Sequence, residues 1–130
     1  NDAAAGAVRL VDMGVDPYLI TSTVLAFMAQ RLVRVVCPDC KEHYQRDGQT
    51  LARGRGCRQC NGSGYRGRVA ICEMLPLKPE IQRRILSRDP AETIREHANR
   101  MGLATLAEDG WRKVAEGTTT AEEVLLVTRL

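Results

Sequence analysis

Four cysteines constrain this chain more than any other feature. Cys37-Pro-Asp-Cys40 and Cys57-Arg-Gln-Cys60 are separated by sixteen residues, a C-x2-C-x16-C-x2-C pattern. Two residues between cysteines let a tight turn aim both sulfurs at one ion, while its amide N–H groups soften the thiolate charge. Two such turns facing each other supply the tetrahedral sulfur shell that zinc favours, with bonds near ~2.3 Å. The spacing therefore predicts a zinc site with Cys37, Cys40, Cys57 and Cys60 as its ligands. Four protein ligands leave no position for water or substrate, so the expected role is structural, not catalytic. Binding energy at such a site, ~10–16 kcal/mol in small zinc peptides, acts as folding energy.

The surrounding segment needs such a staple. Residues 37–67 hold four of the five cysteines, more than half of the eleven glycines and almost no aliphatic side chains. A stretch of that composition cannot build its own hydrophobic core. Disulfides would be the other staple, but they are rare in cytosolic proteins. No signal peptide pattern is visible, and the longest apolar run, LITSTVLAFMA, is short of the ~18–20 residues that cross a bilayer. The chain begins without Met, on NDAAAGAV, and reads as a piece of a longer protein. His43 follows Cys40 by three, but four cysteines leave it no vacancy, and it is expected in an exposed loop. His97 is expected half-buried on a helix, and Cys72 is expected to act as a small buried hydrophobe within a strand.

The stretch CRQCNGSGYRGR, residues 57–68, carries two further patterns. Gly62, Gly64 and Gly67 spell G-x-G-x-x-G, but a dinucleotide turn must follow a parallel strand and open a helix. Here the glycines follow a cysteine turn and lead into a strand. Cys57, Cys60, Gly62 and Gly64 spell C-x-x-C-x-G-x-G, the repeat of Hsp40-type chaperone zinc domains. That architecture needs several paired copies, and CPDCKEHY breaks the pattern. The glycines have a simpler role: they supply positive φ beside the metal and let the chain pass close to it.

Around this segment the elements alternate. Apolar residues at helical spacing and Gly14 predict a helix over Ala3–Met13. Asp16-Pro17 starts a second helix, expected to run to about Met28. RLVRVV (31–36) and RVAICEML (68–75) read as strands. Pro79 opens a helix bearing Ile81, Ile85 and Leu86. Asp89-Pro-Ala-Glu92, a capping-box pattern, opens the next, with Ile94, Ala98 and Met101 inward and Gly102 closing it. Thr105 opens a helix with Leu106, Trp111 and Val114 inward, closed by Gly117, and Thr120 opens the last.

Charge narrows the partners. The chain carries a net +3, with nine Lys and Arg against three Asp and Glu between Arg31 and Arg68. Such a basic segment suits an acidic protein surface, anionic lipid, phosphate or nucleic acid. A nucleic-acid-binding zinc module is the rival reading, but only Tyr44 and Tyr65 lie near the basic loop to stack on bases. No phosphate loop of the form G-x-x-x-x-G-K-[ST] is present, and no catalytic constellation stands out. Asp12, Glu73 and Asp109 are read as solvated or structural groups.

Several stretches point to one family. NDAAAGAVRLVDMGVDPYLI, AQRLVRVVCPDCK, CRQCNGSGYRGRVAICEML and GWRKVAEGTTTAEEVLLVTR resemble, in this order, the C-terminal part of the type II secretion ATPase. This is the general secretion pathway protein E family, related to the type IV pilus assembly ATPases. The paired cysteines followed by NG-x-GYRGR and a strand are the most specific element. The linker between the cysteine pairs looks short, and Ala70 and Cys72 stand where Gly and Tyr are usual.

The resemblance implies a parent ATPase that forms hexamers on the cytoplasmic face of the bacterial inner membrane and drives pseudopilus assembly. Its partners would be neighbouring subunits and inner-membrane platform proteins, with no nucleic acid expected, and its membrane association would be peripheral. In the family the phosphate loop, acidic boxes and histidine box precede the sequence resembled here. ATP and magnesium therefore belong to the parent, no catalytic or ATP-binding residue is assigned, and the piece is expected to be inactive alone. The expected fold is mainly α with a few short strands. It divides into the end of a RecA-like core (1–36), a tetracysteine zinc subdomain (37–67), a strand returning to the core (68–77) and a helical C-terminal subdomain (78–130).

Overall fold

The computed structural model describes residues 2–129, which form six helices and four strands. The chain divides into two compact units, one of residues 1–29 with 72–105 and one of residues 30–71 with 106–130.

The first unit is helical. Helix α1 spans Ala3–Asp12, capped by Asp2, whose carboxylate accepts the Ala5 N–H at 2.8 Å. Gly14 follows it at φ +94°, as the C-terminal signal predicts. Helix α2 spans Pro17–Thr23, with Asp16 accepting the Tyr18 N–H at 2.9 Å. It stops five residues before the expected Met28. Thr21, Ser22 and Thr23 turn their hydroxyls back onto the carbonyls of Tyr18 and Leu19. Such back-bonding and the low helix propensity of a T-S-T-V run end the helix, and Val24 is already extended at ψ 129°. Strand β1 then covers Ala26–Val36, longer than RLVRVV alone suggested.

Helix α3 spans Pro79–Leu86 and α4 spans Ala91–Arg100. The capping box expected at Asp89 is not formed. Pro90 itself is the N-cap, with no side-chain cap bond, and the Asp89 carboxylate lies 3.5 Å from Arg84 Nη1. Gly102 closes α4 at φ +80°. The core of this unit joins Ala4, Ala7, Ile20, Ile81, Ile85 and Ile94. His97 is half-buried on α4 with Nδ1 3.4 Å from a Glu80 oxygen, the environment expected of it.

The second unit contains the cysteine segment. Strand β2 (Lys41–Arg46) and β3 (Gln49–Gly54) pair antiparallel from Lys41↔Gly54 to Arg46↔Gln49. Asp47 and Gly48, at φ 50° and 76°, make the two-residue turn that this twist favours. This hairpin fills a segment for which the sequence reading assigned no strands. His43 is exposed, as expected, but stands on β2 and not in a loop. Strand β4 (Tyr65–Pro76) pairs with β1, and the division between the units falls within both strands.

Helices α5 (Leu106–Ala115) and α6 (Ala121–Thr128) complete this unit. Thr120 caps α6, and Gly117, at φ +78°, ends α5. The buried stripe of α5 runs through Gly110 and Val114, so Trp111, one position round the helix, is 41% exposed and not inward as expected. Asp109 is buried and paired with Lys113 at 2.8 Å and with Arg112.

Candidate metal centre

Each cysteine pair sits in a turn at the end of an extended segment. Cys37 and Cys40 follow β1 and precede β2; Cys57 and Cys60 follow β3 and precede β4. The antiparallel hairpin returns the chain to its starting point, so the two turns meet. Arg55 N–H donates to the Cys40 carbonyl at 3.1 Å and Cys37 N–H to the Gly64 carbonyl at 2.9 Å. These bonds close the base of the hairpin on both sides of the cluster.

The four sulfurs lie within 4.8 Å of one another. Cys37 and Cys57 are 3.8 Å apart at Sγ, as are Cys40 and Cys60, and Cys57 and Cys60 are 3.7 Å apart. Metal–sulfur bonds of ~2.3 Å directed to the corners of a tetrahedron put neighbouring sulfurs ~3.8 Å apart. The separations are far beyond the ~2.05 Å of a disulfide, so none of the four sulfurs is bonded to another. The donor set and its spacing thus fit a tetrathiolate metal site, an arrangement able to hold an ion such as zinc.

The backbone prepares these sulfurs for negative charge. Gly56 N–H points at Cys40 Sγ at 3.3 Å, and the N–H groups of Cys57 and Gly64 both point at Cys60 Sγ at 3.2 Å. The Cys57 N–H, with that of Gly64, holds the Cys60 thiol down at about 6. Burial, with the thiols beside it, pushes Cys40 up to about 12. Crowded thiols without a cation resist losing a second proton, and a divalent ion removes that conflict.

Gly62, Gly64 and Gly67, at φ between 77° and 80°, occupy the left-handed region that the sequence assigned to them. Tyr65 directs its hydroxyl to Thr120 Oγ1 at 2.8 Å, and Arg34 stacks 4.0 Å above its ring. Of the basic residues near the cluster, Arg53 and Arg55 pair with Glu42, and Arg66 pairs with Asp39. Cys72 lies half-buried on β4, outside the cluster. Among the described residues no helix is long and apolar enough to cross a membrane.

A helix-rich chain with four thiols converging from two turns defines a protein with a built-in module able to hold a metal ion. Residues 1–126 match the family described as type II/IV secretion system protein, and the chain belongs to that family. It is 42% identical to the type II secretion system protein E of Pseudomonas aeruginosa, a match covering 99% of this chain and 28% of that protein. It is 42% identical to the type IV pilus assembly ATPase PilB of Thermus thermophilus, over 98% of this chain and 16% of that protein. With the type II secretion system ATPase E of Vibrio cholerae the identity is 39%, over 99% and 28%. The chain thus spans between about a sixth and somewhat over a quarter of the length of these relatives.

Proposed function

We propose that this chain is the C-terminal part of a hexameric ATPase that powers type II protein secretion, and that it contributes a zinc-stapled module and contact surfaces. The observation that carries the reading is 42% identity across 99% of the chain to a type II secretion system protein E. The four converging sulfurs support the metal assignment, with Cys37, Cys40, Cys57 and Cys60 as the ligands of one structural zinc ion. A closed set of four thiolates leaves no open coordination position, which favours a scaffold over a reaction centre.

In this reading residues 1–36 end a RecA-like core and residues 37–67 form the zinc subdomain. Residues 68–77 return a strand to the core and residues 78–130 form a helical subdomain. ATP and magnesium bind elsewhere in the parent. The zinc subdomain would stiffen a basic surface that meets neighbouring subunits or inner-membrane platform proteins, with the parent cytoplasmic and peripheral at that membrane. When bound, the metal supplies cross-linking alone; the cysteine turns and their N–H groups supply its orientation.

The test is to introduce Cys37→Ser with Cys57→Ser into the parent protein, then measure zinc content and protein secretion together. Loss of zinc with impaired secretion is the expected result. Secretion at the unaltered level after complete metal loss would overturn the proposed role.

A further inference from the structure

The second cysteine turn is closed at its base where backbone crosses backbone with no side chain between. A Cβ on Gly54 would run into the carbonyl of Gly64, and a Cβ on Gly64 would lie 2.6 Å from the Gly54 carbonyl oxygen. Two residues on, a Cβ on Gly56 would lie 2.8 Å from the carbonyl oxygen of Gly62. Residues 54–56 therefore lie directly against residues 62–64, and the second cysteine turn is the loop they enclose. Any side chain at Gly54 would push these two runs apart.

That closeness is what the sulfur ligands depend on. The Gly64 carbonyl accepts the Cys37 N–H at 2.9 Å, while the Gly64 N–H points at Cys60 Sγ at 3.2 Å. One residue thus holds the first turn by its oxygen and the second by its nitrogen. Gly56 makes the reciprocal link, since it lies beside Cys57 yet points its N–H at Cys40 Sγ.

We infer that Gly54 and Gly64 are positioning residues for the metal ligands, because their side-chain-free crossing closes the second cysteine turn and holds Gly64 where it reaches both Cys37 and Cys60. The inference rests on reading the cluster as a zinc site. Gly54 is the sharper probe. Gly64 has φ +80°, so alanine there strains the backbone as well, whereas Gly54 lies outside the left-handed region and alanine adds only bulk. Gly48, at φ +76°, sits at the far tip of the hairpin; alanine there strains the tip but meets no neighbouring atom, so it serves as the control for strain in the hairpin away from the crossing.

The 130-residue chain would be titrated with Co2+, whose charge-transfer and ligand-field bands report a tetrahedral thiolate shell, and then with Zn2+ against a chromophoric chelator. Gly54→Ala should weaken binding about 10- to 100-fold, the range for groups that orient metal ligands, with the helical circular dichroism retained. Gly48→Ala should bind as the unaltered chain does. Equal affinity for Gly54→Ala and the unaltered chain would overturn the inference while leaving the zinc reading intact. So would a loss for Gly48→Ala as large as that for Gly54→Ala, or loss of the helical signal in Gly54→Ala. If the unaltered chain itself yields no thiolate bands, the zinc reading fails and the inference with it.

Discussion

Glu123 on α6 receives three N–H groups of Arg34 on its two carboxylate oxygens. The backbone N–H of Arg34 reaches Oε2 at 2.9 Å, and its Nε and Nη2 reach Oε1 at 2.9 and 2.6 Å. Glu123 is buried, while the Arg34 side chain is half exposed and covers the ring of Tyr65. One carboxylate therefore fastens the end of β1 to the last helix of the same unit.

Glu123→Ala should destabilise the second unit by about 1.5–2 kcal/mol. Hydrogen bonds to charged groups contribute ~1.5–3 kcal/mol, and the exposure of Arg34 moves the figure to the lower end. Denaturant unfolding followed at Trp111, in that unit, measures it. A midpoint equal to that of the unaltered chain would mean the contact adds nothing.

Acid should act through two carboxylates. The Arg34 hydrogen bonds hold Glu123 below its usual 4.5 despite its burial. Burial raises Asp2, but the hydrogen bonds from Arg95 and the Ala5 N–H outweigh it and leave the group below its usual 3.8. A depressed folded-state value stabilises the fold above the ordinary range, and that stability is lost as pH falls through the folded value. Stability should therefore decline below about pH 4.5, and less steeply in Glu123→Gln. Parallel curves for the two proteins would argue against the assignment.

Gly110→Ala should destabilise, although alanine normally adds ~1 kcal/mol of stability over glycine within a helix. A Cβ at Gly110 would lie 2.7 and 3.1 Å from the two methyls of Val124 and 3.4 Å from Ile71 Cδ1. Overpacking costs ~1–3 kcal/mol, so the net loss is expected near ~1 kcal/mol. Val124→Ala in the same chain should recover part of it, and a thermal unfolding comparison of the single and double variants reads the coupling.

Metal analysis should find one zinc per chain, and none after Cys37→Ser with Cys57→Ser. Chelation should unfold the cysteine segment yet leave the helices of the first unit, whose core contains none of the four thiols. Affinity should fall as pH falls, since protons compete for the thiolates. Complete loss of helical circular dichroism on chelation would contradict the separate core.

The purified chain should show no ATP turnover, because its sequence holds no G-x-x-x-x-G-K-[ST] turn to cradle phosphates. Turnover above a buffer blank, tracking the chain through purification, would refute this.

The cysteine spacing and the helix punctuation were legible because each depends on a few residues acting locally. Asp16 with Pro17, Thr120, Gly102 and Gly117 all do what their types dictate. The departures arise where a distant group outbids the local signal or where two local signals conflict. The T-S-T-V run ended α2 although the apolar residues continue. Asp89 turned to Arg84, and Trp111 lost the inward position because Gly110 let α6 closer. The hairpin was written in Asp47-Gly48, but its strands carry charged and polar residues that give little hydrophobic alternation. The crossing of Gly54 over Gly64 joins residues ten apart through a loop and leaves no periodic mark.

The spacer between the cysteine pairs is a two-stranded arm, and this changes what its length means. Arms of this kind lengthen or shorten at the tip by matched rungs, one residue on each strand, while the base keeps its register. The sulfurs depend on that base, where Arg55 and Cys37 tie into Cys40 and Gly64, and not on how far Asp47 and Gly48 stand away from it. A change in spacer length is therefore a change in the arm's reach, with the four sulfurs left in the same arrangement.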